Sequence, residues 1–299
     1  MLNHRQVPDF VVAGMPRCGT TFFYHNLQRH PAVHLPWRKE LNFLNLHRDR
    51  GPRWYAEQLA GWQPGQRVGD IEPGYFLDPE VPTLLGQANE NVKVVLGVRD
   101  PVSWVISLHS HFQRLGDAVP PLEEFAARGH DRTQDGGILP YRFEADHLAS
   151  LVKGWQDTLG DNLLMFDYRA FAQDRLHILQ AMESFLDLPP FFEEGNFADL
   201  CINASQGRTL PGMAHLSRAG GGPEQVSRLL PRPMLNRLRS LTDQWLSPAS
   251  KAEVEPTPDL VATLASSQAW YESIFADGPL LLGHGRPFEP TAMEPELVS

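Results

Sequence analysis

The most constraining feature of this sequence is the stretch GMPRCGTT at residues 14–21. It follows a short, β-branched apolar run at residues 9–13, which is typical of a buried strand, and it leads into residues 20–29, where apolar side chains recur at helical spacing. A strand, a glycine loop and a helix form the arrangement in which backbone N–H groups bind phosphate-like anions. The loop matches the pattern G-x-x-x-x-G-K-[ST], except that Thr20 replaces the lysine and Arg17 lies inside the loop.

The missing lysine and the added Arg17 indicate which kind of anion the loop can bind. Backbone N–H groups at a helix start need no lysine to bind an anion, and the Arg17 guanidinium adds a planar fork of donors suited to phosphate or sulfate oxygens. Cys18, Gly19, Thr20 and Thr21 complete a cradle that favours a short anionic group over a Mg-bound triphosphate. Because Cys18 lies beside Arg17 at a helix start, we expect a lowered thiol pKa. The alternative interpretation is a tight turn that exposes an arginine.

The following chain alternates between short apolar strands and amphipathic helices. Strands are predicted at residues 33–35, 67–71, 92–98 and 162–166, and helices at residues 53–59, 79–88, 101–112, 144–159 and 176–186. This alternation is typical of an α/β protein with a P-loop-like parallel sheet and helices on both faces. No domain boundary is evident, so we expect a single domain over residues 1–299, with its core at about 8–190 and an acceptor-side, helical and loop region at 190–299.

Two regions depart from this alternation. Residues 115–141 are rich in glycine, proline and charged residues, which predicts a lid or a mobile insertion. After about residue 189 the alternation is lost, and a proline-rich tail is predicted from about residue 279.

A second candidate anion site lies in the stretch RDPVSWVIS at residues 99–107. It leaves the strongest predicted strand, so Arg99 is expected at the carboxyl end of the sheet, where open parallel sheets bind ligands. Ser107 lies on the helix that follows and could hold a second phosphate together with Arg99. The alternatives are a surface ion pair for Arg99 and a packed hydroxyl for Ser107.

A candidate base lies in the stretch HPAVHLPWRKELNFLN at residues 30–45. Glu40 follows a short strand expected beside the first one, and a carboxylate there could face the loop and take a proton from an acceptor. The alternative is a solvated pair of Lys39 and Glu40, which is the commoner environment for such charges.

Together the three stretches resemble the PAPS-dependent sulfotransferase superfamily, in motif most like its heparan-sulfate-type and related bacterial members. PAPS is 3′-phosphoadenosine 5′-phosphosulfate, and PAP is the product left after the sulfuryl group has been transferred. GMPRCGTT resembles the 5′-phosphosulfate loop, RDPVSWVIS the 3′-phosphate motif, and HPAVHLPWRKELNFLN the segment with the catalytic base. Looser matches are VGDIEPGYF at 68–76 and NLLMFDYRAF at 162–171, so the resemblance covers roughly residues 8–190.

The resemblance implies a reaction and a set of residues for it. The expected reaction is in-line transfer of a sulfuryl group from PAPS to an acceptor hydroxyl, without a metal. The implied catalytic residues are Arg17, which stabilises charge on the bridging oxygen, and Glu40, the general base. The implied donor-binding residues are Arg17, Cys18, Gly19, Thr20, Thr21, Arg99, Ser107 and Arg208. The sequence departs from the family pattern where Arg17 replaces lysine, Asn42 replaces histidine and Arg169 replaces glutamate.

Charge and composition narrow the partners. A net charge of -10 argues against a nucleic-acid or acidic-membrane partner, because both bind basic surfaces. No apolar leader and no membrane-length run is present, and two cysteines make no disulfide framework, so we expect a cytoplasmic protein. The expected partner is a small-molecule or carbohydrate acceptor with a hydroxyl. The oligomeric state stays open, a homodimer included.

Two rival functions remain at this level. A P-loop kinase of nucleosides or small molecules would use the aspartate of NLLMFD, residues 162–167, for metal binding, but the missing lysine counts against it. The second rival function is a non-catalytic module that binds PAP. The presence of both Arg17 and Glu40 favours an enzyme over such a module. His34 or His109 is the alternative base, although an exposed helix position is expected for His109.

Overall fold

A computed structural model describes residues 7–199 and 255–290 of the chain. The strands are β1 (Phe10–Gly14), β2 (Val33–His34), β3 (Arg67–Ile71), β4 (Lys93–Val98), β5 (His130–Gln134), β6 (Gly137–Tyr141), β7 (Leu163–Asp167) and β8 (Leu280–Leu282). The α-helices are α1 (Thr20–Leu27), α2 (Gly51–Leu59), α3 (Val81–Ala88), α4 (Pro101–Leu115), α5 (Leu122–Arg128), α6 (Ala145–Leu159), α7 (Tyr168–Gln173), α8 (Arg175–Phe185), α9 (Pro258–Thr263) and α10 (Ala265–Ile274). Short 3-10 turns cover Arg48–Arg50, Pro73–Leu77 and Gly160–Asn162.

The predicted α/β fold is confirmed by a six-stranded sheet of order β2-β3-β1-β4-β7-β8. The first five strands are parallel, and β8 runs antiparallel to β7. Every residue of β1 and β7 is buried, which requires helices on both faces of the sheet. In the register, Val12 of β1 pairs with Ile71 of β3 and with Val95 of β4. The loops after β1, β3 and β4 therefore leave the sheet at the same edge.

Helix α4 shows how the sequence places one of these loops. Asp100 caps the helix, because its carboxylate accepts a hydrogen bond from the Ser103 N–H at 2.9 Å, and Pro101 occupies the first turn, as predicted. Trp104 is fully buried and its indole N–H donates to the carbonyl of Pro16 at 2.8 Å. This bond fastens α4 directly to the loop after β1.

Residues 122–141 form regular structure where composition predicts a lid or insertion. Helix α5 is followed by an antiparallel hairpin of β5 and β6. Phe125 and Tyr141 are buried, and the ring of Tyr141 meets Phe112 of α4 with centroids 5.0 Å apart. A few aromatic residues thus pack this segment onto α4, although its overall content of glycine, proline and charge predicts a lid or a mobile insertion.

The chain after residue 255 also differs from the sequence-based expectation. Helices α9 and α10 precede β8, which extends the sheet at the place where a proline-rich tail is predicted. Phe166 of β7 pairs with Leu280, and Leu164 pairs with Leu282. In residues 7–199 and 255–290 no helix has the length and apolarity needed to cross a bilayer.

Candidate functional site

The loop between β1 and α1 depends on its two glycines. Gly14 has φ 129°, and a Cβ there would lie 2.4 Å from the backbone N and O of Gly97 on β4. Gly19 has φ 82°, and its Cβ would come within 2.6 Å of the Phe171 ring. The Met15 N–H donates to the Gly97 carbonyl at 2.9 Å and so holds the loop against β4. Side chains larger than hydrogen are excluded at both glycines.

The start of α1 faces this loop with its first-turn amides. Gly19 provides no side-chain cap, and the N–H of Phe23 is bonded to the carbonyl of Gly19 at 3.2 Å. The amides of Thr20 and Thr21 precede that bond and belong to the turn that has no intrahelical acceptor. A helix start of this kind attracts an anion, as the sequence predicts.

Arg17 occupies the middle of the loop in a left-handed conformation, with φ 81°. Its Nε lies 3.4 Å from the Oγ of Ser107 on α4. Burial and the nearby charges of Arg114 and Arg99 lower its pKa to about 10, which leaves the guanidinium positively charged at neutral pH. A left-handed backbone at a non-glycine residue costs about 1–3 kcal/mol and is concentrated at functional sites.

Arg99 is held from several sides at the end of β4. Its Nη1 donates to the carbonyl of Arg17 at 3.0 Å and its Nε to the Oγ of Ser103 at 2.9 Å. The guanidinium also stacks 4.2 Å from the centroid of the Tyr168 ring. The structure therefore brings Arg17, Arg99 and Ser107 together, as the motif spacing predicts.

Cys18 differs from its predicted chemistry. The expectation of a lowered pKa is wrong: the side chain is fully buried, and burial raises the thiol pKa far above its ordinary value, against the weaker opposing effect of Arg99. Cys18 is close to the helix start in sequence, but burial of its sulfur outweighs any effect of the helix start on the thiol pKa. Cys18 thus contributes packing and backbone to the loop rather than a reactive thiolate.

Glu40 lies beside the carboxyl end of β3. Its N–H donates to the carbonyl of Ile71 at 3.0 Å, and its carboxylate pairs with Lys39. Burial acts to raise the pKa of Glu40, but Lys39, followed by His111 and Arg17, lowers it below the ordinary value. The side chain keeps 40% of its surface exposed, so an ionised carboxylate is accessible from solvent.

The turn that carries Glu40 has two further constraints. Glu40 and Asn42 both have left-handed φ values, 63° and 52°. The Asn42 N–H donates to Oε2 of Glu72 at 2.7 Å, and the Gly74 N–H donates to Oε1 of the same carboxylate at 3.2 Å. Glu72 is only 1% exposed, and burial, followed by the charges of Glu40 and Asp70, raises its pKa well above its usual range.

A second buried acid lies two residues earlier on β3. Asp70 accepts a hydrogen bond from the hydroxyl of Tyr55 at 2.7 Å, and burial raises its pKa to about 6. The hydroxyl of Tyr75 accepts from the N–H of Leu44 at 3.2 Å. Neither Asp70 nor Glu72 was given a role by sequence, although both lie in the stretch that loosely matched the family.

Of the histidines near the site, His111 has the environment expected for an acceptor cleft. It lies one turn beyond Ser107 on α4 and interacts electrostatically with Arg17 and Glu40. Burial, Arg17 and other arginines lower its pKa to about 4, so its imidazole is neutral at neutral pH. The four-residue spacing from Ser103 through Ser107 to His111 is the sequence signal that could have identified it.

The two histidines named as alternative bases lie elsewhere. His109 is buried, its Nε2 is 2.8 Å from the carbonyl of Pro120, and its ring meets Phe125 edge-on. The expectation of an exposed helix position for His109 is therefore wrong. His34 is buried in β2 and only 4% exposed. Both positions are poorly placed to meet an acceptor from solvent.

The contacts of Asp167 bear on the kinase alternative, in which this aspartate would bind a metal. Its carboxylate accepts from the Arg169 N–H at 2.7 Å and from the Tyr271 hydroxyl, and it pairs with the Arg169 guanidinium. Arg169 in turn reaches Glu272 of α10 with its two terminal nitrogens, at 2.8 and 3.1 Å. An aspartate engaged in this way is occupied by structural contacts, which disfavours the metal-binding role that a kinase would require.

Two predictions about ligands stay untested: the absence of a metal from the reaction and the donor contact of Arg208. Across residues 7–199 and 255–290, no three side chains of His, Cys, Asp or Glu cluster as a metal site would need, and the absence of a metal from the reaction stays a prediction. Arg208, the predicted late donor contact, lies outside the described residues.

Comparison with known proteins gives a consistent set of relatives. Residues 7–208 match the family model described as Sulfotransferase domain. The Dictyostelium discoideum protein named membrane-associated sulfotransferase kil1 is 31% identical over 148 residues, 43% of this chain and 31% of that protein. Human heparan sulfate glucosamine 3-O-sulfotransferase 5 is 25% identical over 211 residues, 68% of this chain and 59% of its own length.

A solved structure supports the fold. The crystal structure of a sulfotransferase from Alicyclobacillus acidocaldarius superposes with a TM-score of 0.52 at 18% identity, covering 89% of this chain and 99% of the other. At that identity the likeness concerns the fold alone. The matched region spans between about a third and three fifths of the two curated relatives just named.

Proposed function

The chain belongs to the sulfotransferase domain family, and we propose that it transfers a sulfuryl group from PAPS to a hydroxyl of an acceptor. The observation that carries this proposal is the direct contact between the two candidate anion sites. The Arg17 carbonyl accepts from Arg99, and the Arg17 guanidinium reaches Ser107. One ligand with phosphate groups at both ends would fill both sites at once.

In this proposal the donor binds along that contact. The loop of Arg17, Cys18, Gly19, Thr20 and Thr21 binds the 5′-phosphosulfate through backbone amides and the guanidinium. Arg99 and Ser107 bind the 3′-phosphate, which AMP and ATP lack. Arg99 is preorganised for this by Ser103 and Tyr168, so little ordering of its side chain is required on binding.

Glu40 and Arg17 perform the transfer from opposite sides. Glu40 removes the proton of the acceptor hydroxyl. At the same time the hydroxyl oxygen forms a bond to sulfur, and the bond from sulfur to the bridging oxygen breaks. PAP leaves with the electron pair of that bond, and Arg17 stabilises the resulting negative charge. Arginine remains protonated throughout, so it acts by charge and not by proton donation.

We propose a carbohydrate hydroxyl as the acceptor. The support is the similarity to proteins named heparan sulfate glucosamine 3-O-sulfotransferases. A small hydroxylated molecule is the alternative acceptor. His111 is neutral at neutral pH and lies near Glu40, so its ring can exchange hydrogen bonds with an acceptor hydroxyl.

The test uses binding and turnover in one series. By calorimetry, PAP should bind much more tightly than AMP, because each charge-assisted bond contributes about 1.5–3 kcal/mol. Radiolabelled PAPS should then pass its label to heparan sulfate or to a member of a panel of hydroxylated acceptors. Equal affinity for PAP and AMP would contradict the donor site. PAP binding without transfer to any acceptor or to water would instead indicate a binding module.

The kinase alternative is tested by a thermal-shift comparison. A ligand present at a hundredfold excess over its Kd stabilises the folded protein by about 2.7 kcal/mol. We expect this stabilisation with PAP and not with ATP plus Mg²⁺. Stabilisation by ATP plus Mg²⁺ alone would favour the kinase.

A further inference from the structure

Glu72 occupies a position that the reaction scheme above leaves unused. It follows β3 directly, and its N–H donates to the carbonyl of Val12 at 2.9 Å, which continues the parallel pairing with β1. Its side chain is buried and lies beneath the turn that carries Glu40. The side chain is only 1% exposed and forms no ion pair within the described residues, and a buried polar group is costly unless its hydrogen bonds are made.

The hydrogen bonds of Glu72 come from two different segments. Oε2 accepts from the N–H of Asn42, and Oε1 accepts from the N–H of Gly74 in the 3-10 turn Pro73–Leu77. Among the described residues these two amides are its hydrogen-bond donors. One carboxylate thus joins the segment after β2 to the segment after β3.

The turn at Glu40 needs such a support. Glu40 and Asn42 both adopt the left-handed conformation, which side chains other than glycine disfavour. The Asn42 side chain donates to the Glu40 carbonyl at 3.2 Å, while the Asn42 backbone N–H is held by Glu72. Without Glu72 the Glu40 N–H keeps its bond to the Ile71 carbonyl, but the Asn42 amide loses its acceptor. The turn can then relax and shift the Glu40 carboxylate relative to Arg17 and His111.

We propose that Glu72 is the positioning residue of Glu40: its buried carboxylate holds the Asn42 amide and so fixes the catalytic carboxylate relative to the donor loop. This inference rests on the proposed function, in which Glu40 is the base. Glu72 itself touches neither donor nor acceptor in this scheme. Each oxygen of Glu72 accepts an N–H from a different segment, and a glutamine would turn an N–H toward one of these two donors.

The chain offers a matched control in Glu183 on α8. Glu183 is likewise buried, at 4% exposure, and its Oε1 accepts from the N–H groups of Phe191 and Phe192 at 2.9 and 3.0 Å. Its Oε1 lies 3.3 Å from Nε2 of His30, and within residues 7–199 and 255–290 its side chain bonds neither the donor loop nor the Glu40 turn. Glu183→Gln therefore reports what the loss of a buried, amide-bonded carboxylate does by itself.

The experiment measures label transfer from PAPS to heparan sulfate, and to water where no glycan accepts it, together with PAP affinity and Tm. Glu72→Gln should lower kcat by about 10²-fold, the effect of displacing a catalytic group by about 1 Å, while PAP affinity stays within about twofold. Glu183→Gln should lower Tm and leave kcat unchanged. Glu72→Asp, which keeps both oxygens but withdraws them, should also be slow and serves if Glu72→Gln fails to fold.

A double substitution separates positioning from general support. If Glu72 acts through Glu40, the variant Glu40→Gln/Glu72→Gln should be no slower than Glu40→Gln, because the group that was positioned is already gone. Losses that multiply in the double variant would overturn the proposal, as would a normal rate in either folded Glu72 variant. A fully active Glu40→Gln would instead refute the base assignment, and the positioning role with it.

Discussion

The two halves of the candidate site are held in place by opposite chemistry. On the donor side, glycines and arginines shape the loop, and Arg17 and Arg99 reinforce each other through a backbone carbonyl. On the base side, the Glu40 turn contains left-handed residues, and the buried acid Glu72 holds its Asn42 amide, with Asp70 buried two residues earlier on β3. Arg17 and Arg99 lie together in a protein of net charge -10. Each half can be disturbed without removing the other.

The strongest test of this division is Glu40→Gln. General-base assistance is typically worth about 10²–10⁴-fold, so kcat should fall by at least about a hundredfold while PAP binding and Tm persist. Rates with radiolabelled PAPS and PAP titration by calorimetry measure both. Glu57→Gln, on the exposed face of α2, is the control and should behave as wild type. Loss of PAP binding in Glu40→Gln would show that the two halves are not separable.

Arg17→Ala tests the donor half. Removing one donor that stabilises the developing charge typically costs about 10²–10³ in kcat, so we expect a loss of about a hundredfold and a smaller loss in PAP affinity. Arg17→Lys restores the family residue and should recover part of the rate. The exposed Arg53→Ala serves as the control. Near-normal turnover of Arg17→Ala would remove Arg17 from the catalytic residues.

Arg99→Ala should change the choice of nucleotide more than the chemistry. Loss of a charge-assisted bond to the 3′-phosphate costs about 1.5–3 kcal/mol, so PAP affinity should fall by roughly tenfold to a hundredfold while AMP affinity stays nearly constant. Calorimetry of both nucleotides on the same variant gives the ratio. A parallel decrease for PAP and AMP would indicate that Arg99 supports the loop and does not bind the 3′-phosphate.

The smallest expected effect concerns Asp70, the buried acid of β3. Burial raises the folded-state pKa of Asp70 to about 6, above its ordinary value of about 3.9 in the unfolded chain, so its contribution to stability is fully present below the unfolded value and is lost as pH rises through the folded one. Between about pH 5 and about pH 7 this loss amounts to about 1 kcal/mol, or a few degrees in Tm. Asp70→Asn should abolish that part of the slope. An unchanged Tm profile would mean that Asp70 is not neutral at the lower pH.

The geometry of the loop and of the start of α4 was predictable from sequence because steric rules act over a few residues, while donor binding there stays a prediction. Gly14 and Gly19 are required by positive φ and close contacts, and the capping pattern of Asp100 and Pro101 places α4 and its serines. Such requirements leave a recognisable local pattern. The same local logic failed for the Cys18 thiol, since burial by the tertiary fold outweighs the helix start.

The base half was only partly predictable. The sequence places Glu40 after β2 and near the loop, and its role as the base stays a prediction. Glu72 lies 30 residues from the amide of Asn42 that it holds, and no spacing rule links the two. The hairpin after α5 and the strand Leu280–Leu282 were missed for a related reason. The hairpin has few apolar residues, which are separated by glycine, proline and charge, and the three leucines of β8 form a run too short to identify a strand. Pairing with neighbouring strands gives both segments their structure.

The engagement of Asp167 has a consequence for redesign of the donor specificity. Placing lysine at position 20 would complete the pattern of an ATP loop, yet the aspartate at the end of β7 would stay tied to Tyr271 and Arg169. Arg169 is itself clamped by Glu272, so freeing the aspartate means detaching α10 from the central sheet. One substitution would therefore not suffice to change the proposed donor from a phosphosulfate to ATP. It would require rebuilding the packing of a helix about a hundred residues further along the chain.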